Sequence, residues 1–385
     1  MFLFKNIRKR AIKIADEEEH DNKCHILLFN EVLFTESGVY IIIFNSSFIE
    51  LHEQEEHRVP QPLKKILDCF FLLRIPLLAP VWTIFILGWI TATERLLPGG
   101  RFFSPVEYSA FLHLWIVLIG FSLIVASIYV VNQIVDIESD RINHKLFLLP
   151  HGFISVTTAW VLAIICAGSG FLIASFYNGV ILSLFSVSLL LGICYNLPPF
   201  SLKNHAWGGV FANALGHGML AFLAGWYCAK YPAPLSPALI KTGLISSIAP
   251  ALANGAVFLA TTIPDAVGDK STGKQTFCVR YGPKTTARAS ALLCLGACIS
   301  AFFMENHFWV MALPSIISLS FFFYFAYSLK QEIAFSAFKW PVFLLSASVA
   351  LFIPEYGLLI LITFFGSKLY YKWRFGIDYP TFKAK

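Results

Sequence analysis

Nine apolar stretches divide this chain, at 69–93, 109–131, 154–176, 179–197, 206–228, 240–262, 287–304, 308–329 and 340–366, each near or beyond the ~20 residues a helix needs to cross a bilayer. Little freedom of fold remains. In lipid every backbone N–H and C=O must be satisfied within its own segment, so the stretches are predicted to be helices. The expectation is an all-α polytopic membrane protein with about nine transmembrane helices. A mean hydropathy of +0.68 with only 14% charged residues excludes a soluble domain of 385 residues.

Basic residues set the expected orientation. Eighteen Lys and Arg lie before the first stretch or in the segments after the second, fourth, sixth and eighth, nineteen with Arg288 at the edge of the seventh, against four on the other side, Arg95, Arg101, Lys230 and Lys241. The positive-inside bias then places the N-terminus on the cytoplasmic face of an integral membrane protein, the inner membrane if the chain is bacterial. The C-terminal tail disagrees, since Lys368, Lys372, Arg374, Lys383 and Lys385 would lie outside after nine crossings. Pro354 and Glu355 interrupt the last stretch, which leaves open whether it is one span or two arms that return the tail. The net charge of +6 suits anionic headgroups or an anionic substrate at the membrane surface, and nucleic acid is not an expected partner. Eight cysteines without a Cys-x-x-Cys pair are read as packing residues.

Three units are expected: a polar cytoplasmic extension at 1–67 without an assignable role, a membrane domain at 68–366 and a basic tail at 367–385. The extension holds 11 of the 23 acidic residues, has no signal-peptide pattern, and includes Phe4 to Lys13 as a surface-lying segment and Val39 to Phe44 as a short strand or surface contact.

Of the 12 acidic residues beyond position 67, five fall in two short motifs, and that concentration points to chemistry. The first has Asn132, Asp136 and Asp140 at four-residue spacing, followed by Arg141, Asn143 and Lys145 and then Leu149-Pro150-His151-Gly152. The second has Asp265 and Asp269, followed by Lys270, Lys274 and Arg280, with Gly268 and Gly273 between. Four residues advance a helix by about 6 Å and a little over one turn, so each set lines one helical face. Hard oxygens in this order suit Mg²⁺, which keeps waters and recruits phosphates, while the following cations can meet phosphate oxygens. Two such faces across a cavity would hold metal ions that bridge one diphosphate. Between the motifs, Tyr195-Asn196-Leu197-Pro198-Pro199-Phe200-Ser201-Leu202-Lys203 ends the fourth stretch. Tyr195 could position a departing phosphate or anchor at the interface. Arg74, inside the first stretch, could bind phosphate, or else pair with an acid or snorkel to the interface.

These three stretches resemble the UbiA superfamily of intramembrane prenyltransferases. Its pattern runs Asn-x-x-x-Asp-x-x-x-Asp with a basic Arg-x-Asn-x-Lys stretch and Leu-Pro-x-Gly, then Tyr-Ser-x-Pro-Pro-x-Arg-Leu-Lys, then Asp-x-x-x-Asp followed by Gly and Thr. The likeness covers roughly 65–366. It implies two four-helix halves plus a ninth helix around a central cavity opening near the cytoplasmic side. It also implies Mg²⁺-dependent transfer from a polyprenyl diphosphate to an aromatic or lipid-soluble acceptor in the membrane, with diphosphate released. Asn132, Asp136, Asp140, Asp265 and Asp269 match the metal and diphosphate set, Lys145, Lys203 and Lys274 the basic positions, and Tyr195 the loop tyrosine. Arg141, Lys270 and Arg280 join the expected substrate contacts. Gln133, Asn196 and Ser201 depart from the pattern, the last where an Arg is usual.

After ionisation the allylic cation needs electron-rich walls, which aromatic residues, 16% of the chain, can supply. Asn213, His217 and Asn254 are polar residues within apolar stretches that could orient an acceptor or bond between helices. A terpene cyclase of the same superfamily and a cation-coupled transporter are the alternatives. The Lys and Arg after both acid sets favour a diphosphate over an ion pathway.

Overall fold

The computed structural model describes residues 61–94, 105–142 and 148–380. The extension expected at 1–67 lies almost wholly outside them, as do Asn143 and Lys145. The described part is helical throughout. In chain order the helices are α1 (Gln61–Leu72), α2 (Ile75–Ala92), α3 (Pro105–Val135), α4 (Ile137–Ile142), α5 (Val156–Ser175) and α6 (Gly179–Asn196). A 3₁₀ turn (Leu202–Asn204) leads to α7 (Ala206–Asn213), a π-helical segment (Ala214–Leu220) and α8 (Ala221–Lys230), which together form one crossing. Then follow α9 (Pro237–Ser271), α10 (Phe277–Ala301), α11 (Trp309–Ser328), α12 (Gln331–Phe352) and α13 (Pro354–Phe375).

Among the described helices, eight are long and apolar enough to cross a membrane. They start where the sequence supplies caps: Ser155 accepts from the amide of Thr158, Asn178 from those of Val180 and Ile181, and Ser236 from that of Leu239. Their outer faces stay apolar, as at Ile164, Ile165 and Leu172 of α5, because the surrounding solvent is hydrocarbon. Close packing inside comes from small residues. α2 and α8 approach until Gly88 lies on the Phe222 carbonyl and Gly225 on that of Phe85, where any Cβ would collide. At this bundle's far end, His307 Nε2 meets the Thr93 carbonyl at 2.9 Å, and Glu305 accepts from Trp226 Nε1 and Lys230 Nζ.

Three boundaries differ from the sequence expectation. The sixth stretch continues as helix through Asp265 and Asp269 to Ser271, since neither Pro250 nor Pro264 ends it. The seventh begins earlier, at Phe277, and is kinked at Gly282, whose φ of 80° a side chain would resist. The stretch at 340–366 is not one span: α12 ends at Phe352 and α13 starts at Pro354.

The break decides where the tail goes. Phe352 packs on His307 and Trp309 at the far end, whereas Tyr370 Oη donates to Asp68 Oδ1 at 2.6 Å and Arg374 Nε reaches the same oxygen at 3.2 Å. Phe71 stacks on Tyr370 at 3.7 Å, and the Arg374 guanidinium lies 4.5 Å from the Phe153 ring centroid. Asp68 precedes α2 and Phe153 follows the first acid motif, so α13 returns the chain to the motif end of the bundle.

The Asp68–Arg374 pair is 4% and 10% exposed, against 63% and 41% for Asp378 and Lys368. Arg374→Ala, which strands a buried carboxylate, is expected to cost about 3–5 kcal/mol. Lys368→Ala should cost under about 1 kcal/mol. Thermal unfolding in detergent checks that order.

Candidate active site

The first acid set straddles the break between α3 and α4, yet its face survives. The Asp136 amide donates to the Asn132 carbonyl at 3.0 Å and that of Asp140 to the Asp136 carbonyl at 2.7 Å, so the i, i+4 register continues. Asn132 Nδ2 donates to Asp136 Oδ2 at 3.0 Å and to Asn196 Oδ1 at 2.8 Å. Asn196 is buried and donates in turn to the Gly192 carbonyl, which fixes its orientation. Gln133, one residue off that face, ties α3 to the end of α1 through the Leu72 carbonyl at 2.8 Å.

Asp136 collects two ammonium groups, Lys203 Nζ at 2.8 Å from Oδ2 and Lys274 Nζ at 3.2 Å from Oδ1. Burial works against its charge, but the two lysines outweigh it and hold its carboxyl below the usual carboxylate range. Burial also pulls the Lys203 pKa down, with Asp136 opposing. A third cation enters from the α1–α2 corner. Arg74 has left-handed backbone (φ 56°, ψ 47°), an uncommon state for a side-chain-bearing residue, and this turns its guanidinium toward α3. Nη1 donates to Asn132 Oδ1 at 3.3 Å and Nη2 lies 3.7 Å from Asp140 Oδ2. Its Nε is buried without a hydrogen-bond partner among the described residues, a donor available to an anionic oxygen. Of the roles left open for Arg74, pairing with an acid is thus observed.

The second acid set lies beside the first. Asp269 ends α9, its carbonyl accepts from the Lys274 amide at 2.9 Å, and Lys274 then reaches across to Asp136. The Gln275 amide bonds the Asn204 carbonyl at 3.0 Å, which stitches the loop after α9 to the loop carrying Lys203. Tyr195, in the last turn of α6, feels the charges of Asp136, Asp269 and Arg74 and shares a hydrogen bond with Asn213. Asp265 lies one turn before Asp269 and is half-buried. Three expected contacts point elsewhere: Lys270 is exposed, Arg280 is exposed and stacks over Tyr281, and Arg141 is held by Glu138 at 2.9 Å and the Pro150 carbonyl at 3.2 Å.

Asn196 and Tyr129 were missed as site residues. Tyr129 stands one turn before Asn132 on the α3 face, a spacing that extends the acid series inward.

Among the described residues no three His, Cys, Asp or Glu side chains converge as a ready-made cation cage. The donors still fit Mg²⁺, which takes one or two carboxylates and completes its shell with waters and substrate phosphates. Asp136, Asp140, Asp265, Asp269 and the Asn132 oxygen offer such hard ligands on two walls, with Arg74, Lys203 and Lys274 beside them for the phosphates.

Comparison with known proteins gives the family and the fold. The sequence profile of the UbiA prenyltransferase family matches residues 81–347, and the chain belongs to that family. It is 28% identical over 194 residues to the probable homogentisate phytyltransferase 2 of Oryza sativa subsp. japonica, covering 47% of this chain and 50% of that protein. It is 26% identical over 247 residues to the bacteriochlorophyll synthase 34 kDa chain of Chloroflexus aurantiacus, covering 62% and 71%. The chain spans about half the length of the first relatives it matches. In fold it is similar to a UbiA homologue from Archaeoglobus fulgidus solved with DMAPP and Mg²⁺, with a TM-score of 0.58 and 19% identity over 76% of this chain and 99% of that one.

Lys203→Ala is expected to weaken binding of an isoprenyl diphosphate by about 10- to 100-fold, the worth of a charge-assisted hydrogen bond. The exposed Lys270→Ala should change it less than about threefold, and titration of the purified variants compares the two. Asp136 has a lowered folded pKa, so its stabilising share is present above the unfolded carboxylate value near ~4 and is lost as pH falls through the folded value. Asp136→Asn should flatten the acid side of the stability–pH curve, as read by unfolding at a series of pH values.

Proposed function

We propose that this chain catalyses Mg²⁺-dependent transfer of a prenyl group from an isoprenyl diphosphate to an aromatic or lipid-soluble acceptor within the membrane, releasing diphosphate. The observation that carries this reading is the approach of two acid-bearing helix ends, with Lys203 and Lys274 both on Asp136 and Arg74 on Asp140. Lone carboxylates would suit an inorganic cation; carboxylates interleaved with three cations suit a ligand that brings both metal and phosphate charge. The rice relative's name, with homogentisate and phytyl in it, and the DMAPP and Mg²⁺ of the archaeal homologue support the same class of chemistry.

Asp136, Asp140, Asp265 and Asp269, with the Asn132 oxygen, would hold Mg²⁺. When bound, the metal would neutralise charge building on the departing diphosphate. The chain's own groups do the rest. Lys203, Lys274 and Arg74 receive the phosphate oxygens as the C–O bond ionises, and Tyr195 donates toward the leaving group from the α6 wall. The tail has an apolar place to lie. A cavity of about 130 Å³ is lined by Thr83, Ile84, Asn254, Val257, Met311 and Leu345. Asn254 lies eleven residues before Asp265 on α9, three turns and about 16 Å along the same helix face. The basic-residue bias supports a cytoplasmic position for the diphosphate end.

A superfamily cyclase would quench the cation within its own chain, so product that depends on added acceptor separates the two. Purified protein in nanodiscs with geranylgeranyl diphosphate should release diphosphate with Mg²⁺ and stop with EDTA. Asp136→Ala and Asp265→Ala should each lower release about 10²- to 10³-fold or more. Release that persists in EDTA and in both variants would sink the reading.

A further inference from the structure

The polar wall of the cavity does not end at the acids. Two turns inward, Tyr129 of α3 meets His217 of the π-helical segment, Oη to Nε2 at 3.3 Å, and His217 Nδ1 meets Asn213 Oδ1 at 3.2 Å. Asn213 Nδ2 donates to the Gly209 carbonyl at 3.0 Å, so its oxygen faces the imidazole. Nδ1 of His217 then carries the proton, and the lone pair of Nε2 faces the Tyr129 hydroxyl. Tyr129 shares its proton between Nε2 and the Leu77 carbonyl at 3.2 Å. A hydroxyl is oriented on an imidazole that an amide orients in turn, the arrangement that makes a side-chain hydroxyl a proton conduit.

This chain of groups is placed for one job. Tyr129, Asn132 and Asp136 follow each other along one α3 face, with Tyr129 about 10 Å inward of Asp136 along the axis. A donor whose diphosphate lies at the acids points its first carbons to that depth. Asn213 lies beside Tyr195, which feels Asp136 and Asp269, so the relay borders the diphosphate end. Tyr129, His217, Asn213 and Tyr195 are all half-buried rather than sealed in packing. The π turn is a second sign, because such turns interrupt regular helices mostly at functional sites. Arg74, whose charge reaches Tyr129, is already held on Asn132 and Asp140, which leaves this wall to neutral hydrogen bonds.

We infer that Tyr129, His217 and Asn213 form a proton relay beside the acceptor, through which the O–H proton of a hydroxyaryl acceptor, the kind of ring in the rice relative's name, passes by way of Tyr129 to His217. The inference rests on the prenyl-transfer reading above. The acceptor hydroxyl gives its proton to Tyr129 Oη as Tyr129 gives its own to His217 Nε2. The phenolic oxygen pair moves into the ring, a ring carbon bonds C1 of the donor, and the C1–O bond breaks with its electron pair on diphosphate. The ring hydrogen at the new bond leaves as a proton to the diphosphate, and His217 returns its proton through Tyr129 to the product oxygen. Asn213 is a positioning residue throughout.

The test uses the full chain in nanodiscs with geranylgeranyl diphosphate, Mg²⁺, and homogentisate, hydroquinone or 1,4-dimethoxybenzene as acceptor, with products separated by mass spectrometry. The wild type is expected to prenylate a hydroxylated ring and not the dimethyl ether. His217→Gln and Tyr129→Phe should each lower ring prenylation about 100-fold and shift product toward prenyl alcohol, the result of capture by water. Tyr129→Phe is the more conservative in shape and decides the matter if His217→Gln does not fold. Prenylation within twofold of wild type in either folded variant overturns the relay, and equal use of the dimethyl ether overturns the hydroxyaryl acceptor. Wild-type protein that releases no diphosphate at all would overturn the prenyl-transfer reading instead, and the relay would fall with it.

Discussion

One carboxylate holds the motif end of this bundle together. Asp136 takes Lys203 from the loop after α6 and Lys274 from the loop after α9 while its own backbone joins α3 to α4. Each of the three groups would be costly to bury alone, and together they neutralise one another and fix the loops on which they ride. The Gln275–Asn204 backbone bond and the Asn132–Asn196 amide pair work on the same joint. Remove Asp136 and the two ammonium groups lose the carboxylate they share. The site is therefore built around charges that expect a highly charged guest.

Much of this was legible in the sequence because it depends on local spacing. The apolar runs gave the helices, and the four-residue interval of Asn132, Asp136 and Asp140 survives even a break in α3. The basic residues were legible only as a group. Lys203 and Lys274 turn inward, whereas Arg141 finds Glu138 three residues away and Lys270 and Arg280 face outward, a choice made by tertiary packing and not by order in the motif.

What spacing could not reveal were partners far apart in the chain. Asp68 and Arg374 meet across the whole domain, and nothing near either residue announces the other. The stretch at 340–366 is a continuous apolar run save for Pro354 and Glu355, so its reversal shows only once Tyr370 and Arg374 are seen on the α1 side. Arg74 has the same character: its left-handed backbone, which aims the guanidinium, is a property of the corner between α1 and α2. Asn196 stood out as a departure from the family pattern, yet it is an amide buried against Asn132 and so part of the wall that carries the first acid set.

The π-helical turn at Ala214–Leu220 has a geometric consequence for the whole crossing that contains it. Each residue in a regular helix turns the chain by about 100° and each residue of a π turn by less, so regularising this turn at the same length would rotate one half of the crossing against the other by about one residue's step. The lower half is keyed to the cavity by Asn213, and the upper half to the far rim by Trp226 on Glu305. A regular helix of the same length here could keep either key in its lock, but not both.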